Sequence, residues 1–223
     1  MWHSERLGAA FFVKLAQVDE QITAAVAAGG CPRCGGPLHR SDYVRKPRGG
    51  LAADTPEVAA MRYSLCCGRR GCRKRALPPS VRFLGRRVYW EAVVLLASAH
   101  ATARGLLWQA QRATGIARKT LRRWLGWWRT EFVSSSQWTV MRARFVPPPP
   151  DESKMPQSLL ERLAAELSSG AGVAAADVLA VAARWLAPVT TGSVPDSSRF
   201  VWGSGCPGGF TQKMGSGRDF RVS

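Results

Sequence analysis

At 223 residues the chain has room for one compact domain with appendages or for two small ones. Its 46% hydrophobic content supports a packed core, while 22 Gly and 14 Pro leave part of the chain outside one. Lys and Arg number 32 against 15 Asp and Glu, and 23 of these cations but only 5 of the acids fall between Cys31 and Pro150. Diffuse solubilising charge would not localise in this way; the excess marks a polyanion-binding segment. The 26 Arg against 6 Lys add a weaker hint, because Arg offers a planar fork to phosphate and guanine edges.

The chain begins with an apolar stripe, Leu7, Phe11, Leu15, Val18, Ile22 and Val26, at spacings of 4, 4, 3, 4 and 4. This predicts an amphipathic helix within residues 1–30 that ends at Gly29-Gly30. Packing on the chain's own core fits these mixed residues better than a dimer seam, although a homodimer stays open. The greasy run Ala9-Ala10-Phe11-Phe12-Val13 is closely bracketed by Arg6, Lys14, Asp19 and Glu20. It is too short for a membrane span or a secretory leader. We therefore expect a cytoplasmic, nucleoid-associated protein with no membrane partner, whose cysteines are reduced and open to metal.

Residues 31–80 change to turns, short strands and cysteines. Gly35-Gly36-Pro37 and Pro47-Arg48-Gly49-Gly50 are turn chemistry, and Val58 to Leu65 suggest a strand leading to a second cysteine group. The groups are Cys31-Pro32-Arg33-Cys34-Gly35-Gly36 and Cys66-Cys67-Gly68-Arg69-Arg70-Gly71-Cys72. Two tight turns, each presenting a thiolate pair, suit tetrahedral zinc, so Cys31, Cys34, Cys67 and Cys72 are the expected ligands of one structural ion. Cys67 is preferred to Cys66 because Tyr63 and Leu65 share its face at period 2. Four thiolates close the coordination sphere, which argues against zinc-activated water. Arg69, Arg70, Arg73, Lys74 and Arg75 surround the second turn and are candidate phosphate contacts. His39 and Cys206 are read as incidental.

Residues 81–133 predict three helices: Val88 to His100, apolar nearly all round; about Gly105 to Ala113; and about Ala117 to Phe132. A helix-turn-helix needs a turn residue tolerant of positive φ, a small residue at the helix contact and an apolar lock on the second helix. Gly115 fits the turn, Ala110 the contact, and Ile116, Leu121 and Trp124 the lock. The second helix then presents Arg118, Lys119, Arg122 and Arg123 together, as a recognition helix for duplex DNA would. Ser134-Ser135-Ser136 and Pro147 to Pro150 place a linker at 134–155. Two more helices, Pro156 to Leu167 and Ala174 to Leu186, occupy 156–187, before a Gly- and Ser-rich tail at 188–223 expected to be disordered.

Both motifs, in this order, resemble the DNA-recognition regions of bacterial insertion-sequence transposases and transposon-associated accessory proteins. There a Cys-Pro-x-Cys-Gly zinc ribbon precedes a Gly-Ile-x-x-x-Thr-Leu-x-Arg-Trp helix-turn-helix. The likeness covers roughly residues 31–132 and departs at the doubled Cys66-Cys67. It implies recognition of element ends or a regulatory site. No catalytic residues are assigned: the carboxylates are sparse, so catalysis would fall to a separate transposase subunit. The expectation is a mainly α fold with a small β zinc ribbon and a trihelical helix-turn-helix. A transcription regulator built of the same parts, or an RNA- or protein-binding zinc module, remains an alternative.

Overall fold

The computed structural model describes residues 7–47, 56–84, 89–104, 107–147, 151–168 and 174–187. The expected tail at 188–223, with Cys206, lies outside them, as do Arg48, Gly49, Gly50, Val88, Gly105 and Leu106. Within them the chain is mainly helical, with two small antiparallel sheets.

Helix α1 spans Ala9–Ala28. It ends where the glycine pair begins: the Gly29 N–H reaches Ala25 O at 3.2 Å, and Gly30 takes a φ of 74° that side chains disfavour. Leu7, Phe11, Leu15, Val18 and Ile22 are buried and Val26 partly so, all against the chain's own core. The stripe is wider than its spacing suggests. Phe12 is buried as deeply as any of them, with its ring 4.8 Å from that of Trp90.

Strands β1 (Leu38–Arg40), β2 (Tyr43–Val44), β3 (Met61–Arg62), β4 (Leu65–Cys67) and β5 (Arg75–Ala76) follow, with the single-turn helix α2 (Glu57–Ala60) between β2 and β3. One sheet has the order β1-β4-β5 and the other pairs β2 with β3. The expected continuous strand from Val58 to Leu65 is therefore broken. Pro56 opens α2, and the Ser64 N–H goes to Asp42 Oδ1 at 2.9 Å, separating the β2–β3 ladder from the β1–β4 ladder.

Helix α3 spans Glu91–Arg104, starting later than its apolar run suggests. Trp90 pairs with Phe83 across a β-bridge, and the Glu91 N–H is taken by Arg82 O at 2.8 Å. Helix α4 is Leu107–Thr114 and α5 is Arg118–Trp127, continued by a π-helical turn over Trp128–Phe132. Trp124, Trp128 and Phe132 stand four apart and are all buried. An α-helix at 3.6 residues per turn would rotate such a series steadily off the core, and the wider π turn brings it back.

Much of the expected linker at 134–155 is helical, and its residues 148–150 lie outside the described residues. Helix α6 spans Ser136–Arg142, with Ser135 Oγ accepting the Trp138 N–H at 3.2 Å. The serine run is thus an N-cap rather than a spacer. Trp138, Met141, Phe145 and Met155 are buried, and Trp138 Nε1–H donates to Glu152 Oε1 at 2.7 Å. Helices α7 (Gln157–Leu167) and α8 (Ala175–Leu186) pack on each other and on α3. A single core cluster runs from Leu7 to Ala187. Among the described residues no helix is long and apolar enough to cross a membrane.

One polar contact sits inside this apolar frame. Asp19 on α1 meets Arg82 at 2.8 Å with both side chains fully buried. Asp19 also accepts from Ser80 Oγ at 2.6 Å and from the Val81 N–H at 2.7 Å, while Arg82 donates to Ala59 O at 2.6 Å. The pair pins the exit of the cysteine segment to the helix that precedes its entry.

Candidate metal centre and cationic helix

The first cysteine turn is closed by backbone hydrogen bonds. Gly35 N–H and Cys34 N–H both reach Cys31 O, at 2.8 and 3.3 Å, and Cys31 N–H returns to Gly36 O at 2.8 Å. Gly35 holds a φ of 68°, and a Cβ on Gly36 would stand 3.3 Å from the sulfurs of both Cys34 and Cys67. The second turn is tied by Cys72 N–H to Arg69 O at 3.0 Å and by Cys67 N–H to Lys74 O at 2.9 Å. Its positive φ falls on Arg73, at 47°, and not on the Gly71 that precedes the last cysteine.

These turns bring Cys31, Cys34, Cys67 and Cys72 together, with all four sulfurs within 4.8 Å of one another. Cys31 and Cys72 are 3.8 Å apart and Cys34 and Cys67 3.5 Å. A tetrahedron with metal–sulfur bonds of about 2.3 Å has edges of about 3.8 Å, so the spacing suits one ion of zinc's size and softness. Strand alternation decides between the neighbouring cysteines. Leu65 and Cys67 are buried, whereas Cys66 faces the other way, with its sulfur 3.6 Å from Arg73 O. His39 pairs opposite Cys66 and lies over Gly68, outside the cluster.

Crowding divides the protons unequally among the thiols. Cys34 is drawn down to about 7, first by the Gly36 backbone N–H, against the opposing cost of burial, and then by the thiols of Cys67, Cys72 and Cys31. At Cys67 the Arg69 backbone N–H pulls the same way, but burial and the other three thiols outweigh it and push the group up to about 12. An ionised Cys34 keeps its neighbour protonated, because two adjacent thiolates repel without a cation between them.

The flanking cations are not equivalent. Arg69 donates to Cys34 O at 3.1 Å, bracing one cysteine turn against the other. Arg75 reaches Ser41 Oγ at 3.4 Å and lies over the Tyr43 ring. Arg70, Arg73 and Lys74 are exposed.

Helices α3, α4 and α5 pack pairwise. Three residues join α4 to α5, and the first, Gly115, takes a φ of 69° with its N–H on Gln111 O at 2.7 Å. Thr114 Oγ1 donates to Ala110 O at 2.6 Å and accepts the Ile116 N–H at 3.3 Å, stitching the turn. Ala110, Ile116, Leu121 and Trp124 are buried, and Tyr89 meets the Trp124 ring edge-on at 5.0 Å. Arg118, Lys119, Arg122 and Arg123 are all exposed on α5. The N-cap of α5 is Ala117, whose side chain offers no acceptor to the first N–H groups.

Two features went unread in the sequence. Asp19 stands four positions after Leu15 and three before Ile22, so its phase on an apolar stripe was the available sign of a buried acid. Trp108, half exposed on α4, carried no sign at all. Compared with protein-family models, with curated proteins and with solved structures, the chain matches none.

Proposed function

We propose that this is a duplex DNA-binding protein in which α3, α4 and α5 form a trihelical helix-turn-helix and α5 is the recognition helix. One observation carries the reading: a three-residue turn with Gly115 at positive φ delivers a helix with Leu121 and Trp124 in the core and four exposed cations outside. Phosphates supply affinity to such a face, and Arg forks at its N-terminal half supply base reading. In the same reading Cys31, Cys34, Cys67 and Cys72 hold one structural zinc ion in a zinc ribbon. Arg69, Arg70, Arg73, Lys74 and Arg75 there extend the cationic surface. A closed four-thiolate site leaves no position for a reacting water, so the reading assigns recognition rather than catalysis to this chain. In keeping with the resemblance to transposon-associated proteins, the target in this reading is an element end or a regulatory site, with a separate transposase subunit as the catalytic partner, in the cytoplasm on the nucleoid.

The test is duplex affinity against salt for the wild type and for the Arg122→Ala/Arg123→Ala double variant. If both cations neutralise phosphates, the slope of log K against log salt should become shallower by about 1.8, at about 0.9 per contact. Thermal stability should be unchanged, because solvated charges contribute little to folding. Equal affinities and slopes would refute α5 as the recognition helix.

A further inference from the structure

Gly126 lies inside α5, where glycine disfavours a helix more than any residue but proline. Neither backbone strain nor a crowded neighbour requires it. Its φ is not positive, it is exposed, and a Cβ built there would meet nothing within 4 Å. A glycine whose missing side chain faces open space makes room for something outside the chain.

The surroundings say what that is. On a helix the neighbours of a position are those three and four residues away. For Gly126 these are Arg122 and Arg123 on one side and Arg129 and Thr130 on the other, all exposed. Thr130 Oγ1 turns back to Gly126 O at 2.8 Å, which keeps its hydroxyl close to the helix. The one acid between Leu107 and Val133 is Glu131, five positions on and off this face. An open position flanked at helical spacing by three exposed arginines complements a polyanionic backbone.

We propose that the duplex sugar-phosphate backbone seats directly against the α5 main chain at Gly126, between Arg122, Arg123 and Arg129, so that this glycine sets the depth of docking. The inference rests on α5 being the DNA-facing helix. It makes Gly126 a positioning residue that bears no charge and makes no side-chain contact of its own.

The fold and the interface should then respond with opposite signs. Gly126→Ala should raise Tm by about 2–4 °C, because alanine favours the helix and the space around it is open. The same change should weaken duplex binding several-fold, and Gly126→Leu by about tenfold or more. The salt slope should stay at the wild-type value, since no cation is lost. Duplex affinity, salt slope and Tm are measured for both variants beside Arg122→Ala/Arg123→Ala, with the oligomeric state of each read by sedimentation. Wild-type affinity in both glycine variants, with the arginine variant impaired, would overturn the role of Gly126 and leave α5 as the DNA-facing helix. No change in any of the three would remove α5 itself from the interface. A lower Tm for Gly126→Ala would overturn the inference by showing that the glycine serves the fold. Loss of self-association in Gly126→Leu with duplex affinity intact would overturn it in favour of a second copy of the chain.

Discussion

Cys66 and Cys67 are chemically identical neighbours, and the pleat of β4 turns only Cys67 toward the other three cysteines of the cluster. Cys67→Ser should abolish binding of about one equivalent of zinc, while Cys66→Ser should retain it, as read by metal analysis of purified protein. The reverse result would reassign the ligand. The thiol pushed up to about 12 at Cys67 must lose its proton to bind metal. The loaded state therefore holds fewer protons than the free one, and metal affinity should strengthen as pH rises through neutrality. Each proton released contributes about tenfold per pH unit, which competition titrations at about pH 6 and pH 8 can read. A second residue-scale prediction concerns the core. Asp19→Ala strands the Arg82 guanidinium, whose Nη2 already has no partner among the described residues, inside the protein. Breaking a buried pair in this way should cost roughly 3–5 kcal/mol in a denaturant titration. The double replacement Asp19→Leu/Arg82→Met should recover part of that by removing both charges together, the remainder being the buried Ser80 and Val81 donors it leaves unpaired.

Alanine at the buried face of α5 and at the turn before it should weaken the fold by different mechanisms. Trp124→Ala should destabilise the fold by roughly 3–5 kcal/mol, since its ring is buried against Tyr89 and the core. Gly115→Ala should cost roughly 1–2 kcal/mol, because a φ of 69° places its new Cβ against the following carbonyl. Thermal and denaturant unfolding check both, and an unchanged Gly115→Ala protein would show that the turn is not held in this conformation. Elements whose pattern is local were legible in the sequence: the stripe of α1, the lock residues of α5, and α7 and α8. That Cys67 faces inward with Leu65 was legible too, because period 2 needs only three residues to read. What escaped was set by distant partners. The start of α3 is fixed by the bridge from Trp90 to Phe83, and β3 and β4 part because Asp42 takes the Ser64 N–H. Helix α6 escaped for another reason: a serine run reads as a spacer until one of its hydroxyls is seen to cap a buried tryptophan.

In the molecule as a whole the cysteine segment is a satellite. Tyr63, Leu65 and Cys67 are buried, yet they do not join the cluster that runs from Leu7 to Ala187. Its strands are two or three residues long, so their pairing alone gives little stability. Chelation of bound metal should therefore loosen residues 31–76 while leaving most helical signal in place. Hydrogen exchange should show protection lost on β1, β4 and β5 and kept on α3, α7 and α8. Loss of protection on all of them together would show that the metal holds the helical core as well.

The pinning of α1 by Asp19 also bears on synthesis. Ser80 and Arg82 stand 61 and 63 positions after the acid they hold, and the aromatic partner Trp90 comes later still. At about 5–20 residues per second, the greasy face of α1 waits roughly 3–12 s on the ribosome before its partners are made. During that interval Phe11, Phe12 and Leu15 have no core to enter. Chains stalled before Trp90 should be bound by holdase chaperones, and chains stalled well beyond α5 should be released from them.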